Sequence, residues 1–400
     1  MYANRVLSGM RPTGKLHLGH YHGVLKNWVQ LQHEHECLFF VADWHALTTL
    51  YDSPQMIQEH IQEMVVDWLA AGVDPALSTV FVQSQVPEHA ELHLLLSMFT
   101  PLGWLERIPT YKDQQEKLGE KDLSTYGFLG YPLLQSADIL IYRANLVPVG
   151  EDQVPHIEFT REIARRFNHL YGREPGFEQK AEAAAKKLGN KKARLYDELR
   201  TRYQEQGDDE ALEAARALLN EQQSLSMGDR ERLFGYLEGS GKMILTEPQA
   251  LLTAASRLPG LDGQKMSKSY HNTIALRDTP EDVSKKIRTM PTDPARVRRT
   301  DVGTPEKCPV WALHQVYSDD TVRQWAHDGC LQAKIGCLEC KQPVIDAVLA
   351  ELAPMQERAA YYHETPSLIR NLIDDGCEKA RELARDTMRD VRQAMGLHFD

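Results

Sequence analysis

No apolar run in this 400-residue sequence reaches membrane-spanning length, and Met1 to Leu7 lacks the charged-then-apolar layout of a secretory leader. Those two absences argue against a membrane protein and lead us to expect a cytoplasmic one. Basic residues are in deficit, 46 Lys and Arg against 57 Asp and Glu, for a formal net charge of -11. That balance argues weakly against a nucleic-acid partner, because an acidic surface repels a polyanion at long range, and leaves open a locally basic docking face. One such cluster exists: Lys285, Lys286, Arg288, Arg296, Arg298 and Arg299. Cysteine is scarce, with six in all, and a cytosolic address disfavours disulfides. With 42% hydrophobic and 26% charged residues, the chain suits a soluble globular protein of two or three domains.

Short apolar or β-branched runs at Arg5 to Leu7, Cys37 to Ala42, Thr79 to Gln83 and Asn145 to Val149 read as buried strands. Helical spacing of apolar residues over His20 to His33 and Met56 to Ala71 places helices between them. Strands alternating with helices imply a Rossmann-like, doubly wound parallel sheet in an α/β domain. Glu178 to Asp229 is rich in Ala, Glu, Lys, Arg and Gln, and reads as charged helices interrupted by Gly189 and Gly207. Lys242 to Leu245 looks strand-like, and from Tyr270 onward the pattern is largely helical. The expected organisation is a first catalytic part over 1–172 and a helical insertion over 173–242. A second catalytic part follows over 243–280, then an all-α C-terminal domain over 281–400.

Two strings carry chemistry. The first runs from Ser8 to His20, a strand end and a loop bearing Pro12 and Gly14, followed by His17-Leu-Gly-His20 at the start of a helix. Backbone N–H groups at a helix start suit phosphate, imidazoles can donate to phosphate oxygens, and Gly19 leaves room for a flat nucleotide ring. The second, Gly260-Leu-Asp-Gly-Gln-Lys-Met-Ser-Lys-Ser269, sets Lys265 and Lys268 on a glycine-bearing loop able to close over a triphosphate and offset the charge of departing pyrophosphate.

The two strings resemble the HIGH and KMSKS signatures of class I aminoacyl-tRNA synthetases. Further strings, Phe40 to Thr48, Tyr131 to Leu140, Val147 to Gln153 and Thr292-Asp-Pro294, are similar to those of bacterial tryptophanyl-tRNA synthetases. The likeness runs in order along most of the chain, with Glu178 to Asp229 the main stretch outside it. It implies that the chain activates L-tryptophan with ATP, accompanied by Mg²⁺, to tryptophanyl-adenylate and passes it to tRNA(Trp). The family's homodimer is expected too. Carried over, His17, His20, Lys265 and Lys268 are catalytic. Arg11, Thr13, Gly19, His20, Gly150, Asp152 and the run Lys265, Met266, Ser267, Lys268 and Ser269 would contact ATP. Leu7, His45, Gln135, Asp138, Val147, Val149 and Gln153 would line the tryptophan pocket, with Asp138 accepting from the indole N–H. Arg11 stands where many relatives have Gln, and Gln135 where many have Met.

Cys308, Cys330, Cys337 and Cys340 crowd into one segment that ends in C-x6-C-x2-C. Four such thiols suit tetrahedral Zn²⁺ or a cubane iron–sulfur cluster. Some bacterial tryptophanyl enzymes carry a [4Fe-4S] cluster on similarly spaced cysteines, and this resemblance favours iron–sulfur over zinc. Other readings keep parts of the pattern: a tyrosine-specific synthetase, a non-catalytic synthetase-like binder of tRNA or nucleotide, or a nucleotidyltransferase that does not act on tRNA. Retention of His17, His20, Lys265 and Lys268 speaks for catalysis, and the D-W-H-A-L-T and G-E-D-Q strings speak for tryptophan.

Overall fold

The computed structural model describes residues 4–108, 125–172, 176–252 and 258–397. Five strands, β1 (Arg5–Met10), β2 (Glu36–Val41), β3 (Ser78–Val82), β4 (Leu146–Val149) and β5 (Gln249–Leu252), form one sheet in the order β3-β2-β1-β4-β5. β2 and β3 pair in parallel from Cys37–Ser78 to Val41–Val82, and β1 meets β4 in parallel at Val6–Leu146. Helices connect these strands, as a parallel sheet requires. β2 is a nearly continuous apolar run, with Cys37 through Val41 all buried. This is the Rossmann-like α/β architecture expected from the alternating pattern.

Two compact units emerge. One comprises Met1–Gly9, Gln83–Leu251 and Cys377–Asp400; the other comprises Met10–Val82 and Leu252–Gly376. In the second unit, Trp28 stacks on Phe39 with centroids 4.2 Å apart and meets Trp68 edge-on at 5.0 Å. Three aromatics from helix Lys26–Leu31, β2 and helix Gln55–Ala71 thereby fix two helices on the sheet. In the first unit, helix Tyr126–Ile141 has Pro132 in its second turn and is continuously buried from Ser136 to Ile141, whereas Tyr126 at its start is exposed. Thr125 caps its start by accepting from Phe128 N–H.

Several expectations need adjusting. The helix expected from His20 to His33 is three pieces, Leu18–His20, a π-helical turn at Tyr21–Leu25, and Lys26–Leu31. Lys242 to Leu245 is not a strand. The Asn168 side chain ties this segment instead, its Oδ1 accepting from Ile244 and Leu245 N–H and its Nδ2 donating to Leu245 O. A short apolar run such as Met243 to Leu245 cannot distinguish a strand from an extended segment bound to a side chain. The charged stretch after Gly176 folds into helices Phe177–Lys186, Asn190–Gln206, Asp209–Asn220 and Met227–Leu237. Gly189 and Gly207 punctuate them with φ of 82° and 66°, which favour glycine. These helices share a core of their own, built on Tyr196, Leu199, Leu219, Leu233 and Leu237.

The C-terminal region is two long helices, Cys337–Glu364 and Pro366–Ala394. Gly376 lies against edge strand β3, so closely that a Cβ there would collide with the Val80 carbonyl oxygen. Backbone on both sides leaves nothing flexible to move aside. We expect Gly376→Ala to destabilise the protein by about 2 kcal/mol or more, within the usual cost of overpacking, as measured by urea unfolding. An unchanged midpoint would mean that this helix is not seated on the sheet.

Candidate active site

The lysine string, and the histidine string from Met10 onward, lie in the second unit. β1 ends at Met10, whose carbonyl accepts from Ala42 N–H, and the chain loops through Thr13 and Gly14 to the short helix opening at Leu18. Leu18 N–H donates to Ile274 O at 3.0 Å, and Leu276 N–H to Leu16 O at 3.0 Å. A short antiparallel bridge, His17 opposite Ala275, thus joins the first signature to the segment just beyond the second. Leu16, Leu18, Ile274 and Leu276 are all buried beneath it.

Asn272 shapes the lysine loop. Its Oδ1 accepts from Ser267 N–H at 2.7 Å, and its Nδ2 donates to Asp262 Oδ1 at 2.7 Å and to Lys265 O at 3.1 Å. A Cβ on Gly260 would collide with the Asn272 amide, so this position requires glycine. Lys268 Nζ donates to Thr13 O at 3.0 Å, and Gly19 N–H points at Met266 Sδ at 3.3 Å. Beside Gly19 lie the His17 ring and Met266: an added Cβ would meet His17 Nδ1 at 3.0 Å and Met266 Cβ at 3.3 Å. Lys265 is exposed, and the side chain of Ser269 lies outside the described residues.

Electrostatics here disfavour added positive charge. The His17 and His20 rings face each other with centroids 3.7 Å apart. Burial, then Lys268, holds His17 down to about 4; burial, then His17, Lys268 and Lys265, holds His20 down to about 3. Both imidazoles are neutral at pH 7, so they can offer hydrogen bonds but no charge. Burial also lowers the Lys268 ammonium, with Asp67 opposing that shift. Asp67 is buried, accepts from Leu16 N–H at 3.0 Å and pairs with Arg277 Nε at 2.7 Å. Sequence reasoning missed Asn272, Met266 as the partner of Gly19, and Asp67. The first two stood inside or beside a recognised string, whereas Asp67 lies in an ordinary helical pattern that gave no signal.

Asp138 lies in the first unit, on helix Tyr126–Ile141, and is 1% exposed. Its Oδ1 accepts from Gln83 Nε2 at 2.7 Å and lies 2.6 Å from His89 Nδ1. His89 Nε2 is in turn 2.6 Å from the Tyr142 hydroxyl. Burial, then the charge of Asp138, pushes the Tyr142 phenol well up, so it keeps its proton. A protonated Tyr142 donating to Nε2 leaves Nδ1–H to donate to Asp138, which assigns the histidine tautomer. Gln83 and His89 were not singled out from sequence, because a Gln at a strand end and a His in a Glu-rich helix are common surface patterns. Leu7 and Val147 are buried in this unit, Gln135, Val149 and Gln153 are half-buried, and Gln153 Nε2 donates to the exposed Asp152 at 3.2 Å. Gly150 precedes Asp152 so closely that a Cβ would meet its Oδ1 at 2.9 Å. His45, Arg11 and Thr13 fall in the second unit, with His45 buried and the other two exposed.

Cys308, Cys330, Cys337 and Cys340 are free thiols. Burial pushes Cys340 up to about 12, with Cys308, Cys330 and Cys337 adding to the shift. Burial also raises Cys330, against Arg296, whose Nη1 lies 3.7 Å from its sulfur. Arg296 is therefore not a surface cation of the basic cluster; it is buried, and its Nη2 donates to Ile335 O at 2.7 Å. Lys341 is buried as well, donating to Arg288 O and Met290 O. Among the described residues, no group of three or more His, Cys, Asp or Glu side chains is gathered as a metal site. No described helix is long and apolar enough to cross a membrane.

A family model for class I tRNA synthetases (W and Y) matches residues 2–193 and 196–353. A tryptophan–tRNA ligase from Ralstonia nicotianae is 73% identical over 399 residues, covering the whole of both chains. The Thermotoga maritima tryptophan–tRNA ligase is 45% identical over 397 residues, covering 99% of this chain and 100% of its own. Among solved structures, a Campylobacter jejuni tryptophanyl-tRNA synthetase complexed with ADP and tryptophan aligns with a TM-score of 0.73. It is 27% identical and covers 98% of this chain and 100% of that one.

The depressed histidines make a pH prediction. In the unfolded chain they take up protons near 6.5; folded, they resist until about 4 and about 3. The unfolded state therefore binds more protons in between, so their contribution to stability is full above about pH 6.5 and is lost as pH falls toward 4. Replacing both, His17→Asn with His20→Asn, should flatten the fall in urea midpoint between pH 6.5 and 4 relative to the parent. Parallel profiles would contradict the buried, neutral state.

Proposed function

The chain belongs to the class I tRNA synthetases as a tryptophan–tRNA ligase, and on that premise we propose how its residues divide the work. The tryptophan carboxylate attacks the α-phosphorus of ATP, pyrophosphate leaves, and a ribose hydroxyl at the 3′ end of tRNA(Trp) then takes the acyl group. No covalent enzyme intermediate is needed; placement and charge compensation supply the rate. His17, His20 and the Gly19 N–H serve the triphosphate by hydrogen bonding. Lys265 and Lys268 offset the charge on pyrophosphate, with Mg²⁺ accompanying ATP. Arg11, Thr13, Gly150, Asp152, Met266, Ser267 and Ser269 complete the ATP contacts. The observation that carries this reading is the backbone bridge at His17 and Ala275, which holds the histidine string and the lysine loop side by side.

Asp138 accepts from the indole N–H, and Leu7, Gln135, Val147, Val149 and Gln153 of the same unit, together with His45, are the tryptophan contacts we assign. Two buried donors already fix Asp138, Gln83 and His89, so its orientation is set before substrate arrives. A buried acceptor left without its donor is costly, which disfavours phenylalanine. The functional division we adopt is a catalytic core over 1–172 and 243–280, an insertion over 173–242 and an anticodon-reading helical region over 281–400. The active form is a cytoplasmic homodimer.

Cys308, Cys330, Cys337 and Cys340 are the candidate ligands of a [4Fe-4S] cluster, with Zn²⁺ as the alternative. What supports the reading is the donor chemistry of four free thiols, with the Arg296 guanidinium 3.7 Å from the Cys330 sulfur to offset thiolate charge. Bound there, it would pin the helices that carry the cysteines and would take no part in acyl transfer.

Pyrophosphate exchange with tryptophan, tyrosine or no amino acid tests the assignment. Exchange with tryptophan alone is expected, and Lys268→Ala should lower its kcat by roughly 10²-fold, the cost of removing one group that stabilises developing charge. Exchange with tyrosine alone would overturn the role given to Asp138. For the cysteines, protein purified without oxygen should contain iron and absorb broadly in the visible, and Cys340→Ser should lose both. Zinc without iron would select the alternative, and neither metal would refute a metal role.

A further inference from the structure

Three polar side chains outside the signature residues converge just behind them. His22 lies two residues past His20 on the π-helical turn Tyr21–Leu25. Its Nε2 is 2.9 Å from the Tyr317 hydroxyl and 2.9 Å from Glu351 Oε2, and the Tyr317 hydroxyl donates to that same oxygen at 2.8 Å. The His22 and Tyr317 rings meet edge to face, with centroids 5.5 Å apart. The His22 side chain is only 5% exposed and that of Glu351 21%. Tyr317 ends helix Pro309–Tyr317, and Glu351 lies midway along helix Cys337–Glu364.

Charge states support the arrangement. Burial, then Glu351, raises the Tyr317 phenol, so its O–H is kept as a donor. Burial raises Glu351, but hydrogen bonds from His22 and Tyr317 and the charge of His22 outweigh it and hold the carboxyl below its usual range. A carboxylate sheltered from water and accepting from two donors gives charge-assisted bonds, stronger than an exposed pair.

The turn they grip needs outside support. Lys26 N–H reaches back to Tyr21 O, a five-residue step that widens the helix directly after the signature histidines. Such widened turns are rare and concentrate at functional sites. We infer that His22, Tyr317 and Glu351 are positioning residues for adenylate formation, clamping this turn so that His20 and the Gly19 N–H keep their places at the triphosphate. The inference rests on the proposed nucleotide role of His17 to His20.

The test uses the full chain as purified, with variants His22→Ala, His22→Gln and Tyr317→Phe. Each is assayed by pyrophosphate exchange with ATP and tryptophan varied in turn, by transfer to tRNA from preformed adenylate, and by thermal midpoint. His22→Ala should lower kcat/KM for ATP about tenfold, the scale of a modest misplacement, while KM for tryptophan stays within about twofold. Transfer from preformed adenylate should be unchanged. His22→Gln, which can again donate near the Nε2 position, should recover most of the loss, and adding Tyr317→Phe to His22→Ala should cost little more. Unchanged ATP kinetics in folded His22→Ala, or equal losses in exchange and transfer tracking the midpoint, would overturn the inference. If His22→Ala does not fold, His22→Gln and Tyr317→Phe carry the same comparison. Failure of the underlying reading would look different: His20→Ala and Lys268→Ala would then also leave exchange intact.

Discussion

The backbone bridge between Leu16–Leu18 and Ile274–Leu276 is the constraint on which the meeting of the two signature strings depends. The strings are remote along the chain: Lys268 and Thr13 stand 255 residues apart in sequence. Two hydrogen bonds over four buried aliphatic side chains bring them together. Asp67 reinforces the join from beneath, holding Leu16 N–H with one oxygen and Arg277 with the other. A buried carboxylate is tolerated there because a cation and a backbone donor both compensate it.

The first unit solves a different problem, holding one buried acceptor still. Asp138, His89 and Tyr142 form a chain in which each group's protonation fixes the next, and Gln83 closes it from a strand end. The helix carrying His89 is anchored from the C-terminus: Arg381 pairs with Glu88 and Arg392 with Glu91. These pairs are partly exposed and add little stability one by one. Their effect is to fix the helix Glu88–Ser97 and the histidine on it.

Much of this was legible in the sequence where apolar periodicity and short motifs are strong. The four early strands and the helices of the charged stretch, with their breaks at Gly189 and Gly207, needed no structure. What was not legible depended on partners far away. The π-helical turn cannot be read from Tyr21–Leu25, because its apolar spacing fits an ordinary helix as well. Lys242 to Leu245 was mistaken for a strand because the Asn168 side chain supplies the bonds a neighbouring strand would have made. Arg296 looked like a surface cation because nothing local indicates that it turns inward to the Cys330 sulfur. In each case the deciding contact lies well outside the sequence window from which periodicity is judged.

The lysine loop has a consequence for affinity. In this conformation its groups are already bonded: Lys268 holds the Thr13 carbonyl and Met266 sulfur faces the Gly19 amide. On the proposed nucleotide role, a ligand entering here trades partners rather than meeting vacant ones. Its net affinity is the difference between what it offers and what the loop gives up. The same exchange runs in reverse after reaction, since the protein's own groups can retake each amide and ammonium as the product leaves. A loop that solvates itself in this way sacrifices tight binding for faster turnover.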